Sequence, residues 1–310
     1  MWLNRFIRFM VFATLLLIVA GSLVTSQDFG LSVPDWPKSY GMWFPPMIGG
    51  VFYEHGHRMI AGTVGILTIV MTIWLWLKEP RKWVRILGTI ALLSVILQAV
   101  LGGITVLYFL PTWVSTFHAT LAQTFFCMIV SLSIFTSRWW KEPLPKTEVS
   151  GDPTNRFAAM TVLIWLQLIL GSWMRHSKAA LAIPVFPLAL GRIIPPFTSP
   201  EIAIHFAHRV GALVVLLFVT WNLISVLKSY RGQSKITWPS IALMVLVLIQ
   251  ITLGAFTVLT KTAVAVATLH VITGAVILAT SLTLTLRSYK IFHRSSGETS
   301  HAWEAAVRPI

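Results

Sequence analysis

Nine histidines hold most of the chemical potential of this 310-residue chain. Four of them recur in pairs when the sequence is laid against itself: His57 meets His208 at an offset of 151, and His118 meets His270 at an offset of 152. The other five do not repeat. His55 aligns with Phe206, His176 with Ser26 and His205 with Glu54, while His293 and His301 fall in the C-terminal tail. Two imidazoles offered by two helices suit the axial positions of a haem iron, and a helical bundle is a natural holder for such a cofactor. The plainer role for each histidine is a polar contact between helices. A duplicated two-plus-two pattern favours haem. Zinc fits less well, because it takes three or four ligands that usually include Cys or a carboxylate.

The residues beside these histidines sharpen the reading. Glu54 precedes His57 by three positions, hence lies on the same helical face one turn away, and the second half has His205 in its place. The two halves agree on ligands and differ beside them, as expected if one half retains a cofactor and the other does chemistry. A carboxylate there can otherwise serve only the helix N-terminus. Arg58 and Arg209 each follow a ligand candidate. Either can pair bidentately with a haem propionate, or extend its charged head to the membrane interface.

The elements that must position these groups are membrane helices. Hydrophobic residues make up 56% of the chain and charged residues 11%, against roughly 25% charge in a soluble domain; mean hydropathy is +0.77. That excludes a soluble enzyme, a disordered chain and a disulfide scaffold. Apolar runs predict eight spans near residues 9–25, 57–77, 86–108, 114–137, 157–175, 204–227, 238–259 and 264–286. The net charge of +14 is a topology signal rather than a nucleic-acid footprint. Of 24 Lys and Arg, only Lys38, Arg58, Arg175, Lys178, Arg192, Arg209 and Lys261 fall on one side; the other 17 lie at the N-terminus, in the alternate connections and in the tail. The positive-inside rule then places both termini in the cytoplasm of a multi-pass plasma-membrane protein. The histidines of the second, fourth, sixth and eighth spans all fall within about two turns of the outer face.

Repetition extends beyond the histidines. Gly21-Ser22 falls on Gly171-Ser172, and Pro34, Pro37, Gly41 and Pro45-Pro46 fall on Pro184, Pro187, Gly191 and Pro195-Pro196. Further on, Gln98, Leu101, Gly102 and Thr105 meet Gln250, Leu253, Gly254 and Thr257. A polar stretch with Pro143, Pro145, Gly151 and Pro153 divides the repeats. The expected fold is all-α: two duplicated four-helix bundles, 1–145 and 152–288, followed by a cytoplasmic tail, 289–310. Four spans per half is an even number, so the halves should be related by a pseudo-twofold axis along the membrane normal. The long outer loops, about 26–56 and 176–203, either pack over the bundle mouth or anchor aromatic residues such as Trp36, Tyr40, Trp43 and Phe44 at the interface. Arg5 and Arg8 before an apolar run resemble a signal peptide, but no small-residue cleavage site follows, which predicts a retained first helix. Cys127, the single cysteine, reads as packing. Gly102-Gly103 and Gly254 predict close helix contacts, within or between chains.

The segment Gly30-Leu31-Ser32-Val33-Pro34-Asp35-Trp36-Pro37, followed by Glu54-His55-Gly56-His57-Arg58, resembles the haem A synthases. So do eight spans in two duplicated halves with one repeated histidine on each even span. The resemblance covers nearly all of the chain up to about residue 288. It implies oxidation of the C8 methyl group of haem O to a formyl group, by two hydroxylations and loss of water, giving haem A for cytochrome oxidase. It further implies that His208 and His270 ligate a resident haem b; Arg209, which follows His208, is read from its place as a further cofactor-binding residue. In the resemblance His57 and His118 would ligate the substrate haem, with Glu54 the acidic residue needed for catalysis; Arg58 is the propionate candidate by its place beside His57. Many bacterial members carry cysteine pairs in the outer loops; this chain has none, so no disulfide-linked step can operate in it.

Two other readings stay open at this stage. One is a dihaem b-type cytochrome for electron transfer, which would want histidines at both membrane faces. The other is a non-catalytic haem carrier or oxidase assembly factor, which would not need Glu54. The resemblance points to haem O synthase and cytochrome oxidase assembly proteins as partners, with membrane lipid around the chain and no nucleic acid. Nothing marks an electron donor, and self-association is left open.

Overall fold

The structure, a computed structural model, describes residues 1–144 and 151–293. Lys146, Arg294, His301 and Arg308, all part of the charge or tail reading above, lie outside the described residues. Among the described residues there are eight long helices: α1 (Trp2–Ser26), α2 (Gly50–Lys78), α3 (Lys82–Leu107), α4 (Thr112–Phe135), α6 (Thr154–His176), α7 (Pro200–Ser229), α8 (Ser234–Leu259) and α9 (Val264–His293), with one extra turn, α5 (Arg138–Lys141), between the fourth and fifth. All eight are long and apolar enough to cross a membrane. The chain is an all-helical, multi-pass membrane protein.

The helices outrun the expected spans because their polar ends are helix-compatible. Arg5 and Arg8 ride on the first turns of α1 rather than preceding it; arginine is a good helix former and can reach water along its stem. At the other end, α9 continues to His293, so the start of the expected tail is helical. Starts are set by local chemistry. Ser199 accepts the Ile202 amide and Pro200 takes the first helical position of α7, where a missing N–H costs nothing.

In the first half α1–α2, α2–α3, α3–α4 and α1–α4 pack together, and in the second α6–α7, α7–α8, α8–α9 and α6–α9 do the same. Across the seam α1 meets α9, and α4 meets α6 and α9. Each half has its own core, Met10, Met71, Leu75 and Ile129 in the first and Phe157, Met160, Leu243 and Leu278 in the second. Ile18, Phe126, Val130 and Ala275 fill the seam. No span has more than 39% of its most apolar window buried, so the outward apolar faces are matched to lipid rather than to protein. Interhelical hydroxyls help where lipid removes the hydrophobic drive: Thr161 Oγ1 sits 2.8 Å from Ser281 Oγ and Thr154 Oγ1 sits 2.9 Å from Ser288 Oγ.

The two loops at the histidine end are folded, and folded alike. Ser39 bridges Met42 as Ala189 bridges Arg192. Tyr40 and Gly41 take positive φ, as do Leu190 and Gly191. Val33 and Ile183 are fully buried under the loops. The two readings of the loop aromatics divide by residue. Trp36 packs over the bundle, so that a β-carbon on Gly103 would lie 2.9 Å from its ring, whereas Trp43 and Phe44 point outward. At the opposite end, buried Glu79 gathers Arg81 at 2.6 Å and Lys141 at 3.2 Å.

Candidate functional site

The four repeated histidines stand at the same end of the molecule, each about two turns from the start of its helix. Each turns Cε1 toward a glycine of the preceding long helix. A β-carbon on Gly21 would lie 3.0 Å from Cε1 of His57, and one on Gly102 would lie 3.5 Å from that of His118. In the second half the distances are 2.8 Å from Gly171 to His208 and 3.1 Å from Gly254 to His270. The glycines are therefore what lets a ring stand between two helices. The same alignment that pairs the histidines pairs these glycines, yet only the packing reveals their job. His57 lies in the electrostatic field of His118, and His208 in that of His270.

Ring nitrogens are left over. Nδ1 of His57, of His118 and of His270 is buried without a well-formed hydrogen bond. His208 differs: Gln167 Nε2 lies 3.0 Å from its Nδ1 and donates to its backbone carbonyl at 2.8 Å. Gln167 aligns with Leu17, so the ring of His208 is held in a way that the ring of His57 is not. Gln98 donates to the His118 carbonyl at 2.9 Å, and Gln250 approaches His270 Nε2 at 3.3 Å. Repetition of these two glutamines was visible in the sequence, but their contact with the histidines was not; Gln167 carried no such signal.

Glu54, Arg58, His205 and Arg209 clasp the loops. The Val33 amide donates to Glu54 Oε2 at 2.9 Å, and the equivalent Ile183 amide donates to His205 Nδ1 at 3.3 Å. Arg58 donates through Nη1 to the carbonyls of Asp35 and Lys38, both at 2.8 Å, and through Nη2 to Glu54 Oε1 at 2.5 Å. Arg209 donates to the equivalent carbonyls of Val185 and Leu188, and to that of Ile183. Both oxygens of Glu54 are thus engaged, and both arginines are tied to loop carbonyls. His55 joins the first loop through Ser39 Oγ at 2.8 Å. Asp35 lies at the loop surface and takes the Gly41 amide at 2.8 Å and the Tyr40 amide at 2.6 Å. The Gly41 hydrogen bond, with Tyr40 and the charge of Arg58 adding to it, holds its carboxyl below the usual 3.8.

Between the two histidine pairs, at the seam, lie Arg175 and His176. Arg175 Nη2 donates to the Ser22 carbonyl at 3.2 Å and to Ser26 Oγ at 2.7 Å, and the His176 carbonyl accepts from Thr112 Oγ1 at 3.3 Å. The sequence counted Arg175 only as a charge on the outer side.

The arrangement fits haem. Imidazole is a standard ligand of haem iron, and each half supplies two of them on neighbouring helices, with glycine at each ring edge and buried, unpartnered ring nitrogens at His57, His118 and His270; these are the residues that would hold the group. No three His, Cys, Asp or Glu side chains converge as a bare-ion site among the described residues.

Residues 49–282 match the family described as cytochrome oxidase assembly protein (COX15-CtaA). The chain is similar to heme A synthase of Halalkalibacterium halodurans, 26% identical over 86% of this chain and 90% of the relative. It is also similar to heme A synthase of Lysinibacillus sphaericus, 28% identical over the same shares, and to that of Alkalihalophilus pseudofirmus, 28% identical over 83% and 87%.

Proposed function

The chain belongs to the cytochrome oxidase assembly protein family, and from that premise we propose that it is a haem A synthase, a membrane oxidoreductase that converts the C8 methyl of haem O to a formyl group. The observation that carries the reading is the duplicated histidine–glycine pair: two paired-imidazole sites at one end of a chain similar over most of its length to heme A synthases.

In this reading residues 152–288 form the half that retains haem b on His208 and His270, and residues 1–145 form the half that receives haem O on His57 and His118. A pseudo-twofold axis along the membrane normal relates them. Haem b, when bound, supplies a one-electron redox centre. The protein's own work is positioning: glycines let the rings approach, Gln167 steadies His208, and the folded loops shield the mouths of the sites from water. Glu54 holds Val33 and Arg58 above His57 and is the nearest carboxylate along that helical face, so it is the group we assign to proton handling at the substrate edge. Arg58 and Arg209 are the cations at the two mouths, where a propionate that reaches the loops meets them.

An electron-transfer cytochrome is less well supported, because all four repeated histidines share one end of the bundle. Haem O synthase and oxidase assembly proteins are the partners this role calls for, in the plasma membrane with both termini cytoplasmic. A reporter fused after Arg308 should be active only on the cytoplasmic side.

Co-expression with a haem O source, followed by separation of the extracted haems by mass, tests the reading. Wild-type protein should yield haem A. Recovery of unmodified haem O alone would instead make the chain a carrier.

A further inference from the structure

Arg175 stands apart from the other arginines of the histidine end. Arg58 and Arg209 are each tied to the loop of their own half, but Arg175, near the end of α6, crosses the seam to Ser22 and Ser26 of α1. Both contacts use Nη2. No carboxylate lies within ion-pair distance of Arg175 among the described residues. Asp28 acts on it only through its field. A part-buried cation without a counter-ion is a costly group, and its surroundings favour an anion.

Two further observations say where that anion belongs. Ser22, whose backbone carbonyl takes the guanidinium, also has a side-chain hydroxyl that is buried and has no hydrogen-bond partner. Ser26 Oγ, which accepts from Arg175, also accepts from Thr268 Oγ1 at 3.3 Å, and Thr268 lies two positions before His270 on α9. His270 itself lies in the field of Arg175. Unused guanidinium N–H groups and a spare hydroxyl are the donors that a carboxylate takes, and arginine binds it as a planar fork. Position 25 of the first half, which aligns with Arg175, is Thr25; the aligned Ser172 also has a buried hydroxyl without a partner, but the arginine occurs once, at the seam.

We propose that Arg175, with the Ser22 hydroxyl, forms a carboxylate subsite for a propionate of the haem held by His208 and His270. The subsite ties that haem to α1, so the resident cofactor helps to join the two halves. The assignment rests on the haem b reading of the C-terminal half.

The test compares wild type, Arg175→Gln and Asp28→Asn, each purified with its haem and each prepared haem-free from a haem-deficient host, then loaded with haem b or with its propionate dimethyl ester. Arg175→Gln should release haem b on the order of tenfold faster, with a more negative midpoint potential and an unchanged low-spin spectrum, since both imidazoles remain. Wild type should release the diester faster than it releases haem b, and the variant should show a smaller gap between the two, the part that Arg209 sustains. Haem-free Arg175→Gln should melt no lower than haem-free wild type. Equal retention of acid and ester by wild type overturns the proposal. So does Asp28→Asn reproducing the effect, or a haem-free Arg175→Gln protein that melts lower than haem-free wild type, which marks a purely structural tie. Wild type without any haem on His208 and His270 overturns the haem b reading itself, and this subsite with it.

Discussion

The β-carbon that Gly171 lacks would stand 2.8 Å from Cε1 of His208. Real β-carbons do not approach that closely, so Gly171→Ala must push the ring or the helix. Overpacking of this kind costs about 1–3 kcal/mol, and a ring fixed on iron cannot turn away. We expect Gly171→Ala to purify with depleted haem. Gly254→Ala, in the same half, where the distance to Cε1 of His270 is 3.1 Å, should lose less haem. Haem per protein by absorbance checks the order; equal haem content in both variants would separate the glycines from the sites.

Replacement of either assigned ligand should be more severe. His208→Ala or His270→Ala is expected to lose the retained haem and, with it, about 3 kcal/mol or more of stability, because a bound cofactor stabilises the native state by mass action. Thermal melts with and without haem measure this. Full haem content with an unchanged low-spin spectrum in both variants would show that the ligands are elsewhere.

Gln167→Leu installs the residue type found at the aligned position, Leu17. The fold should persist, since the partner helices are unaltered, but His208 loses the amide 3.0 Å from its Nδ1. Loss of such an outer contact typically weakens binding by about tenfold or more. Haem transfer to an acceptor protein would read the change directly, and an unaltered transfer rate would deny Gln167 a positioning role.

For Glu54 the structure separates two roles that one substitution would confuse. Glu54→Ala leaves the Val33 amide without its acceptor and Arg58 without its carboxylate, and should cost about 3 kcal/mol. Glu54→Gln keeps an oxygen for Val33 and removes the charge. If Glu54 handles a proton, the Gln variant should retain its C-terminal haem yet accumulate haem O or hydroxymethyl haem. His57→Ala should block earlier, at substrate binding. Normal haem A from Glu54→Gln would reduce Glu54 to a loop clasp.

Asp35 makes the first loop sensitive to acid. The Gly41 amide, chiefly, depresses its carboxyl pKa in the folded state, so its contribution is present in full above the ordinary 3.8 and is lost as pH falls through the lowered value. Amide exchange at Tyr40 and Gly41, corrected for the intrinsic pH dependence of exchange, should show protection fading below pH 3.8. Asp35→Asn should show weak protection at every pH. Identical profiles would mean the turn holds without this carboxylate.

Much of this was legible in the residues alone. Eight helices follow from apolar runs that only lipid could accommodate. His57, His118, His208 and His270 stand out because repetition sorts them from five other histidines, and it also marks Gly21, Gly102, Gly171 and Gly254 without saying why. Repetition compares residue types at matching places, so it is blind to whatever the halves do not share. Gln167 and Arg175 are unmatched, and both became visible only once helices were packed side by side. Arg175 meets Ser26 across 149 positions of sequence, and no local period encodes a contact of that range. Glu54 shows the same limit from the other direction. Its spacing from His57 was readable, because one helical turn is a local rule, but the engagement of both its oxygens depends on Val33, carried back over α2 by a folded loop. Spacing along one helix is fixed by the backbone's own geometry; which groups meet between helices is decided by close packing, and tertiary structure alone supplies that.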